Sequence, residues 1–510
     1  MNFLKKYHKW LGLIFIFFLI IFSLSGIILN HRKTFSAVDV KRHFLPENYR
    51  YKNWNNAAVI GTTKISTDSI LLFGNIGIWL CDSLFQKHTD FNLGFPKGVD
   101  NRKISDIVIY QNDLVAASIF GLFRHNKAAK KWEKQPIPLN EERIVDLLVH
   151  NDSLYVLTRS YLFKTKDLSE FTQIHIPAPE NYDHKIGLFK TLWVIHSGEI
   201  YGLAGKLLVD IIAIVVIFLS ITGFYFFLRK SQLHKSGMSA EIRKKLKEKL
   251  KWHLRWHNKI GWTTSILLLI TATTGMFLRP PLIAAIGDAR VGKIPFTELA
   301  TPNPWFDILR RIDYDHDAQA FILATMDGFF YSADAFQSKL KPFYWQPPAS
   351  VMGVTVLEKN SPQTWLVGSF MGLFEWNPTT GMVMDYITKL PYTAPSSIGS
   401  PIGNFKISGY TKDFRGQEIV FDYDKGAGNL TSDLHFTTMP EEIIRKSPLS
   451  LWNTALEFHT SRIFQPLIGS FYVLIIPITG LVTIFIVISG FIVWYKLHRK
   501  KRKSADRQSS

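Results

Sequence analysis

Four histidines stand at matched places in two halves of the chain, and imidazole repeated in this way can ligate a metal-bearing macrocycle. The first half reads Tyr7-His8-Lys9-Trp10-Leu11-Gly12 ahead of an apolar run ending Ser25-Gly26. The second reads Trp256-His257-Asn258-Lys259-Ile260-Gly261 ahead of one ending Thr274-Gly275. In both, the first Gly follows the His by 4 residues and the last by 18. A second matched set opens with His196-Ser197-Gly198-Glu199-Ile200-Tyr201-Gly202 and leads to Thr222-Gly223; its partner opens with His459-Thr460-Ser461-Arg462-Ile463-Phe464 and leads to Ser489-Gly490. Here the His-to-Gly spacing is 27 residues against 31, so the later copy carries an inserted turn, expected at Pro466 or Pro477. Neutral imidazole is a common axial ligand of haem iron, and a bis-His haem b needs two imidazoles on opposite faces of one macrocycle. Any one interfacial His reads equally as a polar tip at headgroup level, but packing alone gives no reason to repeat His with Gly at a fixed offset. Two haems b are therefore expected, one near His8 and His257 and one near His196 and His459. His31, whose counterpart by offset is Pro280, and His253, one turn before His257, compete as ligands. Asp210, Arg279 and Arg462 near the ends of the apolar runs can pair with haem propionates or with each other.

The elements that must position these side chains follow from hydropathy and charge. Trp10–Asn30, Ile211–Leu228, Ile260–Leu278 and Ile463–Tyr495 contain no charged residue, each near or above the ~18–20 residues needed to cross hydrocarbon. Four transmembrane helices are expected, the first an uncleaved anchor because its apolar stretch exceeds a signal-peptide core. Of 60 Lys and Arg in 510 residues, 21 lie in residues 1–9, 229–259 and 496–510, where only Glu241, Glu248 and Asp506 are acidic. Basic flanks stay cytoplasmic, which places both termini and the central loop inside an inner (cytoplasmic) membrane. Concentrated there, the +19 excess argues for membrane topology and against nucleic acid.

The expected plan is an integral membrane bundle of four helices, built from a duplicated two-helix unit, with an extracytoplasmic all-β domain. Its parts are helix one at 1–31, β half one at 32–195, helix two at 196–229, a basic amphipathic loop at 230–256, helix three at 257–279, β half two at 280–458, helix four at 459–496 and a basic tail at 497–510. Both halves go outward first, so a pseudo-twofold axis along the membrane normal relates them. The Gly next to Ser or Thr in each span is expected to let helices approach closely. Because His8 and His31 are 23 residues apart, ~34 Å along a helix, electron transfer between the two faces calls for tilted macrocycles or intervening aromatics.

Between the spans, short alternating runs carry a Gly-apolar-aromatic signature at Gly77-Ile78-Trp79, Gly121-Leu122-Phe123, Gly328-Phe329-Phe330 and Gly372-Leu373-Phe374, with weaker forms at Tyr161-Leu162-Phe163 and Ile419-Val420-Phe421. A period of about 44 residues is that of propeller blades; three plus three units can close into one six-bladed propeller, the alternative being two separate small β domains. Half a propeller would leave strand edges open.

Absent motifs narrow the chemistry. One cysteine, Cys81, excludes an intramolecular disulfide, an iron–sulfur cluster and covalent haem attachment. No nucleotide-binding glycine loop, nucleophile elbow or zinc-protease motif is present, so electrons must come from a cytosolic reductase or membrane quinol.

The sequences at the four span boundaries, His-Lys-Trp-Leu-Gly, His-Ser-Gly-Glu-Ile-Tyr-Gly, Trp-His-Asn-Lys-Ile-Gly and Phe-His-Thr-Ser-Arg-Ile-Phe, resemble the PepSY-associated transmembrane family. That family includes ferrisiderophore reductases, so the resemblance implies dihaem electron transfer to a ferric chelate or an extracytoplasmic protein, with His8, His196, His257 and His459 as ligands. A membrane-anchored sensor or assembly protein whose β domain binds a partner is the alternative, and a transporter comes third because the spans hold almost no charge.

Overall fold

The computed structural model describes residues 2–138, 143–234, 239–350, 353–393, 402–431 and 436–506, which leaves parts of the basic loop, the sixth β unit and the basic tail outside the described residues. The chain divides into two compact units, Met1–Phe35 with His184–Thr301 and Leu451–Ser510, and Ser36–Asp183 with Pro302–Ser450.

The first unit is helical: α1 (Asn2–Asn30), α2 (Leu188–Ser197), α3 (Gly202–Lys230), α4 (Ala240–Thr263), α5 (Ser265–Phe277), α6 (Leu451–His459) and α7 (Ile475–Asp506). Uniformly apolar runs fold this way because a helix pairs its own backbone groups where no water can. Asn2–Asn30, Glu199–Lys230 and Arg462–His498 are each long and apolar enough to cross a membrane; α4 and α5 qualify only as a pair, bent by 65°. The bend has a local cause. Thr263 and Thr264 hydroxyls donate to the Ile260 carbonyl at 3.0 and 2.8 Å, and Ser265 donates to Trp262 O at 2.9 Å. Three successive hydroxyls turned back onto the helix compete for its carbonyls and bend it. The basic loop expected at 230–256 is thus helical over most of its length and runs without a break through His257. Ser239 caps it, accepting from Ile242 N–H at 3.3 Å, and of the apolar residues along it Leu250 is buried while Ile242 and Leu254 are exposed.

Helices two and four do not open on their histidines. His196 and His459 end the separate short helices α2 and α6, and a left-handed residue follows two positions later in each copy, Gly198 at φ +80° and Ser461 at φ +61°. At Gly198 no side chain fits, because a Cβ would meet Gly205 O at 2.1 Å. A second shared turn falls at Gly202 and Gly469, φ +57° and +59°, so the four extra residues of the later copy are the single helical turn Gln465–Ile468, which contains Pro466.

Among the described residues the second unit holds five antiparallel sheets of four strands and one of three, besides the short pair Asp39–Val40 with Leu449–Ser450. Their first strands are Gly61–Ser66, Ile104–Tyr110, Ile144–His150, Leu309–Asp315, Val354–Ser361 and Ile407–Thr411. Each contacts the next, and the sixth contacts the first. Side chains tie every step of this cycle: Thr63 to Ile107 O, Ser105 to Ile144 O, Arg311 to both Asp146 and Thr355 O, Thr355 to Ile407 O, and Ser408 to Val59 O. Apolar cores fill the seams between neighbours in the same order, including Ile70, Trp79, Ile419 and Phe421 between the sixth and the first. The 44-residue period therefore marks one sheet per repeat, each burying its faces against two others.

Several carboxyls on the first strands are held away from their usual range. Burial, with the neighbouring Asp146 charge, pushes Asp106 up to about 7, and burial pushes Asp313 up to about 7. A carboxyl whose folded pKa is raised stabilises the fold fully below its unfolded pKa and loses that contribution as pH rises through the folded value. His125 and His150, whose imidazoles burial holds below their usual range, act in the opposite sense, and only at lower pH. Between pH 6.5 and 8.5 the β unit is therefore expected to lose about 1 kcal/mol, a fall that Asp313→Asn should partly flatten. Thermal melts of both proteins across that window check it; a rise in stability with pH would contradict the assignment.

Candidate functional site

Each of the four repeated histidines rests on the Ser/Thr-Gly pair of a helix from the other half of the chain. His8 Nδ1 lies 2.9 Å from Ile486 O and 3.2 Å from Ser489 Oγ on α7. His459 Nδ1 is 3.0 Å from Phe22 O and 3.0 Å from Ser25 Oγ on α1. His196 Nδ1 is 3.0 Å from Thr271 O, with Thr274 Oγ1 at 3.4 Å on α5. His257 Nδ1 is 3.0 Å from Thr222 Oγ1 on α3.

These contacts fix the tautomer. A carbonyl can only accept, so Nδ1 carries the proton in His8, His196 and His459. Thr222 spends its own proton on Phe218 O at 2.8 Å, so its oxygen accepts from His257. Nε2 is then the lone-pair nitrogen in all four, the form a metal takes, with Nδ1–H anchored as second-shell support.

The glycines make room for the rings. A Cβ at Gly275 would stand 2.5 Å from His196 Cε1, at Gly490 3.0 Å from His8 Cε1, and at Gly26 and Gly223 3.4 Å from Cε1 of His459 and His257. The expectation for these glycines was helix–helix approach; each lies instead under an imidazole. Ser25, Thr222, Thr274 and Ser489 are the site residues that sequence reasoning left without a role, although their repeated place before Gly was the available signal.

The rings meet in two pairs. His8 and His257 have centroids 6.2 Å apart with planes at 87°; His196 and His459 are 6.0 Å apart at 50°. Two imidazoles on opposite sides of one metal, each bond about 2 Å and each ring centre about 1 Å further, would be separated by roughly 6 Å. The donor set, its tautomer and its spacing thus fit an axially ligated macrocycle at each pair. From the second pair an aromatic run follows α1, His459 to Phe22 at 5.9 Å, Phe22 to Phe18 at 5.9 Å and Phe18 to Phe15 at 6.2 Å.

The competing ligands lie elsewhere. His31 Nε2 is 2.5 Å from Asp210 Oδ2, and Asp210 also accepts from Asn30 at 3.0 Å, so that nitrogen is engaged. His253 packs on Tyr225 with centroids 4.2 Å apart, and His498 stacks on Trp494 at 5.3 Å. Neither His31 nor His253, nor His498 of the basic tail, makes a ring contact with the four paired histidines among the described residues. No group of three or more His, Cys, Asp or Glu is arranged to hold a bare metal ion among the described residues.

A helical membrane unit with duplicated imidazole pairs, joined in one chain to a β unit, defines the class: a membrane protein with a β domain. Residues 5–305 match the PepSY-associated TM region family, and the chain belongs to it. No curated protein matches the chain. Among solved structures it is similar to the extracellular domain of a hybrid two-component system of B. thetaiotaomicron, at 12% identity and TM-score 0.36, over 75% of this chain and 40% of that one. It is also similar to PorZ, a surface component of the type-IX secretion system of Porphyromonas gingivalis, at 10% identity and TM-score 0.30, over 73% and 31%. The computationally designed Ika8 protein is similar at 8% identity and TM-score 0.32, over 74% and 99%. The chain spans less than half the length of the first two.

Proposed function

We propose that this protein is an inner-membrane electron carrier that moves electrons outward through two haems b to reduce a ferric chelate, siderophores included. Four spans carry the path, α1, Glu199–Lys230, the bent α4–α5 pair and Arg462–His498, with both termini cytoplasmic by the distribution of Lys and Arg. The six sheets form one extracytoplasmic six-bladed propeller, a reading supported by the cyclic contacts of their first strands.

The observation that carries the proposal is the pair of imidazole pairs, each with Nδ1–H anchored and centroids about 6 Å apart. His8 with His257, and His196 with His459, would each hold one haem b, which supplies one-electron redox chemistry when bound. The Ser/Thr-Gly seats hold the imidazoles in place without occupying Nε2. The apolar helices limit the access of water to the half-buried ligands. Phe15, Phe18 and Phe22 fill α1 below the outer pair with polarisable rings. Electrons enter at the cytoplasmic side from a reductase or quinol and leave on the outer side, to a ferric chelate or a protein acceptor. Reduction to ferrous iron loosens a hard-oxygen chelator, since the softer, less charged ion is held less tightly.

The test is an absorption spectrum of the purified protein, oxidised and dithionite-reduced, with a pyridine-haemochrome assay. A b-type spectrum with about two haems per chain is expected. Protein that stays colourless when expressed with haem precursor would sink the redox reading and leave the β unit as a partner-binding module.

The glycine seats make a second, sharper prediction. Alanine at Gly275 drives a methyl into His196, whereas at Gly26 the same methyl reaches only ordinary contact distance. Gly275→Ala is expected to lose about half the bound haem and Gly26→Ala little, by the same assay; equal losses would contradict the geometry.

A further inference from the structure

We infer that Arg279 and Arg462 form a carboxylate-binding site beside the His196–His459 pair. Arg462 follows His459 by three residues, and Arg279 follows Gly275, the seat of His196, by four. Arg462 donates to Glu457, a buried carboxylate on α6, through Nη2. Its Nε is buried without a partner, and so is the hydroxyl of fully buried Ser461 next to it. Arg279 lies near enough to feel Arg462, Glu457 and Tyr472, and its charge also reaches His459. Its side chain makes no hydrogen bond among the described residues. A guanidinium stays a cation at neutral pH. Arg462 thus pairs with Glu457 and Arg279 lies within electrostatic reach of both, in a partly exposed place where one buried N–H of Arg462 is left over.

The duplication supplies an internal control. By offset, Asn30 stands where Arg279 does and Glu199 where Arg462 does. Asn30 and His31 both bond Asp210, so on that side the matched polar group is paired with an acid. A planar guanidinium fork matches a carboxylate in geometry as well as charge, and a second cation beside it raises the preference for an anion. Two sources offer that chemistry: a propionate of a haem held by His196 and His459, or a carboxylate of an anionic ferric chelate. The first rests on the haem reading above; the second does not need it.

The experiment compares full-length wild type, Arg279→Gln, Arg462→Lys and Arg279→Gln/Arg462→Lys in detergent. Redox titration, transfer of haem to apomyoglobin and calorimetric titration with ferric citrate are read in parallel. Arg462→Lys keeps the charge opposite Glu457 while removing the fork, so loss of fold is not the expected outcome, and thermal melts verify it. If a propionate occupies the site, Arg279→Gln lowers the midpoint of one haem and leaves the other in place, and haem escapes about fivefold or more faster from the double variant. If a chelate occupies it, both midpoints stay and the dissociation constant for ferric citrate rises about tenfold. Unchanged midpoints, haem retention and citrate affinity in the folded double variant overturn the inference. A wild type without haem would defeat the electron-transfer reading, while the citrate arm would still decide whether the arginines bind carboxylate.

Discussion

His257→Ala is expected to lower the haem content from about two per chain to about one, and His8→Ala to do the same. Because these two rings form one pair, removing both should cost no more than removing either. His8→Ala with His459→Ala, by contrast, breaks one ligand in each pair and should leave almost no haem. The pattern separates the pairing from its alternatives: if His8 were coupled to His31, or His253 replaced His257, the combined losses would fall differently. Pyridine-haemochrome stoichiometry over the single and double variants reads it directly. Additive losses for His8→Ala and His257→Ala would refute the inner pair as one site.

The second large effect is expected in the β unit, at Arg311. This side chain donates to Asp146 Oδ1 at 2.6 Å and to Thr355 O at 2.7 Å, so it joins three successive sheets. Asp146 also accepts from Ile312 N–H at 2.8 Å, and Asp106 accepts from Leu147 N–H at 3.1 Å. Arg311→Leu would leave two neighbouring carboxyls facing each other with the bridging cation gone. Breaking a buried ion pair by removing one partner costs roughly 3–5 kcal/mol. The melting temperature of the β unit should fall by about 10 °C. Two conditions should restore part of the loss: lower pH, which protonates the orphaned carboxyls, and Asp146→Asn, which removes the unpaired charge. A variant that melts like wild type at pH 7.5 would show that the cycle does not depend on this bridge.

The four histidines were legible because the chain states them twice, with Gly at the same offset. The β repeat was legible for the same reason, as a 44-residue period in Gly-apolar-aromatic triplets. What was not legible is which residue meets which. His8 and Ser489 are 481 positions apart, and Arg311 and Asp146 are 165 apart; no local pattern encodes such contacts. The bend at Thr264 escaped because no charge interrupts Ile260–Leu278, while the Thr263-Thr264-Ser265 hydroxyls that cause it read as ordinary small residues of a span. Histidines placed by spacing at the openings of helices two and four proved to close short preceding helices. Spacing reports periodicity, and a left-handed turn at Gly198 or Ser461 leaves periodicity almost untouched.

The seats of the imidazoles carry a consequence for how the protein is made. His8 and His196 come from the first half, yet their seats, Ser489-Gly490 and Thr274-Gly275, come from the second; His257 and His459 reverse the arrangement. A ribosome that has delivered only residues up to the central loop has therefore inserted two helices and finished no seat for its own histidines. Completion of the inner pair waits for α7, which carries the seat for His8. Truncations that remove Ser489-Gly490 should therefore leave the outer pair seated and the inner pair incomplete. The same exchange means that two half-chains made separately could build the sites only by coming together, as two copies of an undoubled ancestor would have done.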